Sequence, residues 1–153
     1  NVRAVALGIR AVAPALSASG GGRIVVTAST SGIAGDPNMW AYNTAKGAVI
    51  NLVRAAAIDL GADGITVNAV CPGPTETAMT ARLQSSTVYD ELRRRIPLQR
   101  WGQAAEIAAV IEFLTLVSTS ATPNRRMGGG HSRERRDPPL LEARCPPASK
   151  PAR

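Results

Sequence analysis

The sequence predicts an α/β fold with parallel strands, and three observations carry that expectation. Two short β-branched runs, at residues 23–28 and 65–70, alternate with stretches of helical periodicity. Each run is almost continuously apolar, the pattern of strands buried in a parallel sheet. The resulting order of helix, strand, helix, strand, helix suits crossover connections between parallel neighbours.

The first helix shows as Val2, Val5, Ala6, Ile9, Val12, Ala13 and Leu16, spaced three and four apart on one apolar face. Pro14 predicts that this helix ends nearby, with residues 17–22 as a loop. Ile24, Val25, Val26 and Thr27 then form the first strand. Residues 29–38, rich in Ser, Gly, Asp and Pro, read as a loop. From about residue 41 to 60, Ala45, Val49, Leu52, Val53, Ala56 and Leu60 recur with helical period, and Gly61 is placed as the C-terminal cap. The second strand follows at 65–70 and runs directly into Cys71, Pro72, Gly73 and Pro74. In an open α/β sheet, that carboxyl edge is where ligands bind. Val88, Leu92 and Ile96 mark a third helix, with Asp90 and Glu91 early and Arg93 to Arg95 late, an order that suits the helix dipole. A last helix starts near Gln103 and presents Ile107, Val110, Ile111 and Leu114.

Composition excludes several classes of function. The chain has 153 residues, of which 44% are hydrophobic and 19% charged, ordinary for one globular domain. No apolar run reaches the ~20 residues of a membrane span, and nothing at the start resembles a secretory signal. A cytoplasmic protein with no membrane partner is therefore expected. Cys71 and Cys145 are too few for a disulfide framework and lack metal-ligand spacing, and Cys71 reads as a buried free thiol. His131, the single histidine, lies in a Gly- and Arg-rich stretch, so no metal site is expected.

The net charge of +7 is not a nucleic-acid signature, because residues 118–153 carry +5 of it. That tail also holds six of the eleven prolines and no aromatic residue. It cannot bury enough apolar surface to offset its ordering entropy, so disorder is expected there.

Tyr42 and Lys46 lie four residues apart on the second helix and so share a face. A free tyrosine titrates near 10, too high for efficient proton transfer at neutral pH. A neighbouring ammonium favours the phenolate, which turns the tyrosine into a usable acid or base. Alone, a Tyr-x-x-x-Lys pair is a weak signal, since a solvated helix face gives the same spacing.

The surroundings make it specific. Residues 22–35 (Gly-Arg-Ile-Val-Val-Thr-Ala-Ser-Thr-Ser-Gly-Ile-Ala-Gly), followed by 41–46 (Ala-Tyr-Asn-Thr-Ala-Lys), closely resemble the catalytic region of the short-chain dehydrogenase/reductase family. Residues 67–77 (Val-Asn-Ala-Val-Cys-Pro-Gly-Pro-Thr-Glu-Thr) resemble its strand and Pro-Gly turn. Residues 95–102 (Arg-Ile-Pro-Leu-Gln-Arg-Trp-Gly), leading to Glu106, Ile107 and Ala108, match a further stretch. The resemblance covers residues 1 to about 115.

The resemblance implies an NAD(P)-dependent dehydrogenase or reductase acting on CH–OH groups, with NAD or NADP as hydride carrier and a small alcohol or carbonyl as substrate. It implies a catalytic set of Asn1, Ser29, Tyr42 and Lys46. Tyr42 would move the proton, and Lys46 would lower its pKa and bond the nicotinamide ribose. Ser29 would polarise the substrate oxygen, with Ser31 as an alternative hydroxyl, and Asn1 would hold a relay water. Pro72, Gly73, Thr75 and Thr77 would join Tyr42 and Lys46 against the cofactor, although Pro72-Gly73 also reads as an ordinary strand-ending turn. Asn68 would brace that turn. Met39 and Trp40 would line the substrate pocket or pack between subunits, and Trp101 is expected as a packing residue. Family members are commonly homodimers or homotetramers.

The chain also departs from the family pattern. It opens on Asn1 in what already reads as helix, and the glycine-rich pyrophosphate turn has no equivalent. The expected architecture is a partial Rossmann fold, a doubly wound parallel sheet lacking its N-terminal strands and its last strand. Residues 1–117 would be the C-terminal catalytic half, and residues 118–153 resemble a frameshifted end. Two other readings compete with an oxidoreductase: a truncated, non-catalytic remnant, and a nucleic-acid binder acting through its basic tail.

Overall fold

The computed structural model describes residues 1–116. Expectations for residues 118–153, His131 and Cys145 among them, lie outside the described residues.

Strands β1 (Gly22–Thr27) and β2 (Ile65–Val70) pair in parallel, in register from Gly22 opposite Ile65 to Thr27 opposite Val70. The ladder continues past both ends. Gly22 N–H donates to the Gly64 carbonyl at 3.3 Å, and Ala28 N–H donates to the Val70 carbonyl at 2.7 Å. Helices α1 (Val2–Ala18) and α2 (Trp40–Leu60) pack beside the pair. One core cluster joins Ile9 of α1, Val53, Ala56 and Ala57 of α2, and Ile65 and Val67 of β2. The paired alanines keep α2 close to the sheet. A second cluster of Ala28, Val49 and Ile50 sits under the carboxyl end of the strands.

Helix α1 does not stop at Pro14, which lies inside it with its ring exposed. Proline forfeits one backbone bond, but Ile9, Ala13 and Leu16 anchor the helix on both sides of it. Its end is set at Ser19, whose N–H reaches the Ala15 carbonyl at 3.1 Å and whose hydroxyl reaches the Leu16 carbonyl at 2.9 Å. Gly61 is the C-cap of α2, as the sequence predicts. It has φ −62° and opens a 3-10 turn (Gly61–Asp63), and Gly64, with φ +72°, takes the left-handed conformation. The extra turn delivers the chain directly into β2.

The loop at 29–38 contains one 3-10 turn, Thr30–Gly32. Two further two-residue strands, β3 (Thr75–Glu76) and β4 (Gly102–Gln103), form a second parallel pair that the sequence does not announce. Helix α3 spans Thr87–Arg95 and α4 spans Ala104–Leu116. Strand β1 is less buried than its sequence predicts: it is half-buried from Gly22 to Val26. Among the described residues that sheet has only two strands, so each presents one edge without a partner strand. Cys71 is half-buried rather than buried and packs against the second cluster. Among the described residues, no helix is long and apolar enough to cross a membrane.

Ile65 is 1% exposed and Ile58 is 62% exposed. Ile65→Ala is expected to lower unfolding free energy by about 2–5 kcal/mol in urea titrations, against about 0.5 kcal/mol or less for Ile58→Ala.

Candidate active site

The carboxyl ends of β1 and β2 are locked together by the residues that follow them. Thr30 N–H donates to the Pro72 carbonyl at 3.0 Å, and the Thr30 hydroxyl reaches the same oxygen at 3.3 Å. Ser29 and the Pro72-Gly73 turn therefore occupy one edge of the sheet. The 3-10 turn then presses on α2. A Cβ added to Gly32 would lie 2.6 Å from the Lys46 carbonyl carbon and 2.8 Å from Gly47 N, so only glycine fits there. This contact sets the loop carrying Ser29 directly on the helix turn that carries Lys46.

Lys46 is half-buried, and its Nζ donates to the Thr27 carbonyl at the end of β1 at 3.1 Å. The same Nζ lies 5.7 Å from the centroid of the Tyr42 ring, close enough for a cation–π contact. Tyr42 is 37% exposed, so its ring faces solvent beside the lysine. Ser29 is buried at 8% exposure. Its Oγ accepts from Ser31 N–H at 3.1 Å and donates to Ser31 Oγ at 3.1 Å. Ser31 Oγ in turn donates to Asp36, and the Asp36 carbonyl accepts from Asn43 Nδ2 at 2.9 Å. Sequence reasoning missed Gly32, Asp36 and Asn43, although a Ser-x-Ser-Gly run before an aspartate was visible.

The structure thus gathers Ser29, Tyr42, Lys46, Pro72 and Gly73 at one edge. Asn1 stands apart as the exposed N-cap of α1. It makes no side-chain capping bond, and none of the hydrogen bonds among the described residues links it to the others. Asn68 lies in β2 opposite Val25, inside the ladder. Met39 and Trp40 are 44% and 80% exposed at the start of α2.

Past Gly73 the chain is held by a polar cluster. The Thr75 hydroxyl donates to the Gly73 carbonyl at 2.9 Å. Thr77 N–H donates to the Thr80 hydroxyl at 2.9 Å, and the two threonine hydroxyls lie 3.3 Å apart. Glu76, between them, accepts from the Tyr89 hydroxyl at 2.9 Å and from Gln103 Nε2 at 2.8 Å. The bonds from Gln103 and Tyr89 lower the Glu76 pKa, and the bond to Glu76 raises that of Tyr89. Tyr89 stacks on Trp101 with ring centroids 4.6 Å apart, and Trp101 is 2% exposed, a packing residue as the sequence predicts. Glu106 accepts from Arg100 at 2.6 and 2.9 Å and from Gln103 N–H at 2.7 Å, capping the start of α4. These bonds, Arg100's foremost, lower the Glu106 carboxyl to about 2. A pocket of about 260 Å³ lies between the Gly73–Thr75 segment and Ile96, Leu98, Arg100 and Ile107.

A family model described as enoyl-(acyl carrier protein) reductase matches residues 1–122. The chain is 44% identical over 115 residues to 2-(R)-hydroxypropyl-CoM dehydrogenase of Xanthobacter autotrophicus. The chain belongs to the short-chain dehydrogenase/reductase family. That match covers 74% of this chain and 46% of the relative. Meso-2,3-butanediol dehydrogenase of Serratia marcescens is 46% identical over 93 residues, covering 61% of this chain and 37% of that one. The chain therefore spans less than half the length of these curated relatives.

Solved structures of the family agree with the α/β architecture. An NAD+-bound xylitol dehydrogenase superposes with TM-score 0.63 at 34% identity, over 70% of this chain and 47% of that one. A gluconate 5-dehydrogenase from Burkholderia cenocepacia, in complex with NADP and tartrate, superposes with TM-score 0.66 at 33% identity, over 69% and 42%. The family's short-chain dehydrogenase/reductase members are Rossmann folds, and the parallel β1–β2 pair with its flanking helices is part of that architecture.

Two outcomes test this geometry. Gly32→Ala is expected to cost about 1–3 kcal/mol in unfolding experiments, because backbone rather than a flexible side chain meets the new methyl. Glu106, lowered from 4.5 to about 2, favours the folded state above its unfolded pKa, and that contribution is lost as pH falls from 4.5 towards 2. A carboxyl-carbon NMR titration of Glu106 should have its midpoint near 2, and Arg100→Leu should move it up towards 4.5.

Proposed function

We propose that the chain carries the catalytic half of an NAD(P)-dependent oxidoreductase that interconverts an alcohol and a carbonyl by hydride transfer. The carrying observation is the position of Lys46 Nζ, 3.1 Å from the end of β1 and 5.7 Å from the Tyr42 ring, on the edge that holds Ser29. Here Tyr42 is the general acid in reduction and the general base in oxidation. The Lys46 ammonium lies beside its ring, and Ser29 donates its hydroxyl proton to the substrate oxygen.

The residues present fit a nicotinamide nucleotide. Lys46 has three N–H donors, and Thr77 is exposed. The backbone at Gly73 is open to a ligand: a Cβ added there would meet nothing nearer than the Thr30 side chain, at 3.9 Å. NAD or NADP would be held by Lys46, Tyr42 and the Pro72, Gly73, Thr75 and Thr77 segment, and supplies or accepts the hydride when bound. Residues 1–117 then form one unit of a doubly wound sheet, with a small alcohol or carbonyl as substrate, a cytoplasmic location and a homodimeric or homotetrameric parent. Asn1 is the relay residue of this reading.

The second reading, a non-catalytic remnant, is favoured by the two-stranded sheet among the described residues. Titration with NADH and NADPH, followed by nicotinamide fluorescence, separates the two: saturable binding supports the oxidoreductase and its absence the remnant. In a chain that turns over, Tyr42→Phe should lower kcat by about 10²–10⁴-fold and leave the unfolding midpoint unchanged.

A further inference from the structure

Ser29 is tied into a hydroxyl chain that alcohol–carbonyl chemistry does not by itself require. Ser29 Oγ donates to Ser31 Oγ at 3.1 Å, and Ser31 Oγ donates to an Asp36 carboxylate oxygen. An ionised carboxylate only accepts, so the single hydroxyl proton of Ser31 is committed to Asp36. Ser31 Oγ can then only accept from Ser29, while Ser31 N–H fills one lone pair of Ser29 at 3.1 Å. The bond to the carboxylate is charge-assisted and stronger than the neutral one, so the direction of the chain is set from the Asp36 end. Asn43, next to Tyr42, holds the Asp36 backbone at 2.9 Å, which ties this loop to the catalytic helix.

We propose that Asp36 is a positioning residue for Ser29, acting through Ser31 by fixing the direction of this hydroxyl chain. At rest, Ser29 keeps its proton on Ser31. To donate to a substrate oxygen it exchanges Ser31 for that oxygen. A neutral carbonyl competes for the proton on roughly equal terms, whereas an oxygen gaining negative charge during reduction accepts a bond about twice as strong. Asp36 thereby makes Ser29 a weak donor to the bound carbonyl and lets it leave Ser31 for the oxygen that gains negative charge. The inference rests on the role of Ser29 given under the proposed function.

The test is a cycle of wild type, Asp36→Ala, Ser31→Ala and the double variant in the full chain, read in two ways. By NMR, Asp36→Ala is expected to shift the Ser29 β-protons, and that shift should vanish in the Ser31→Ala background. With NADH or NADPH and a ketone substrate, Asp36→Ala should lower KM by about 2- to 10-fold with kcat little changed, and the double variant should match Ser31→Ala alone. Asp36→Asn keeps the loop's shape without the charge and should move both readouts the same way by less. Ser29 signals unmoved by either Asp36 variant, or moved equally with and without the Ser31 hydroxyl, would overturn the proposal. A wild-type chain without turnover would sink the oxidoreductase reading, while the NMR cycle would still decide the role of Asp36.

Discussion

The parallel ladder between β1 and β2, extended past the strands by Ala28 and Thr30, is the constraint on which the site depends. Each added bond brings the segment after β1 a residue further along the segment after β2. By the time Thr30 bonds the Pro72 carbonyl, Ser29 and the Pro-Gly turn share one edge, though 43 positions separate Ser29 from Pro72. Helix α2 is then seated by the cluster around Val49 and Ile50 beneath that edge and by the glycine contact at its flank. Packing at the middle of the helix and backbone contact at Gly32 leave Lys46 little freedom. Its ammonium reaches the last carbonyl of β1 because the helix has nowhere else to sit.

The polar cluster beyond Gly73 solves a different problem. Two-residue strands are too short to hold themselves in place, and β3 and β4 have no apolar layer of their own among the buried residues except Trp101. Glu76 supplies the missing cohesion by accepting from α3 and from β4 at once. Glu106 does the same for the start of α4 and for Arg100. Side-chain carboxylates here replace the ladder bonds that a longer strand would have made, so the segment carrying Thr75 and Thr77 is positioned by charge as much as by backbone.

Much of this was legible in the sequence. The two β-branched runs, the period of residues 41–60 and the spacing of Tyr42 and Lys46 are local properties, and each appears in the structure within a residue or two. Ser29 was legible only through the pattern around it. Pro14 misled because proline marks where a helix can end, whereas packing on either side decides whether it does. The β3–β4 pair was invisible, since two residues carry no periodicity.

The sequence by itself determined the order of elements, the family pattern and the identity of the chemical groups, because those follow from local periodicity and from residue type. Only the tertiary structure decided which hydroxyl faces which partner. The link from Ser29 through Ser31 to Asp36, the glycine-only contact at Gly32 and the grip of Glu76 on Tyr89 and Gln103 join residues whose spacing follows no helix or strand period. Such contacts depend on how loops fold against rigid elements. A hydrogen bond of about 3 Å tolerates errors far smaller than any sequence pattern encodes.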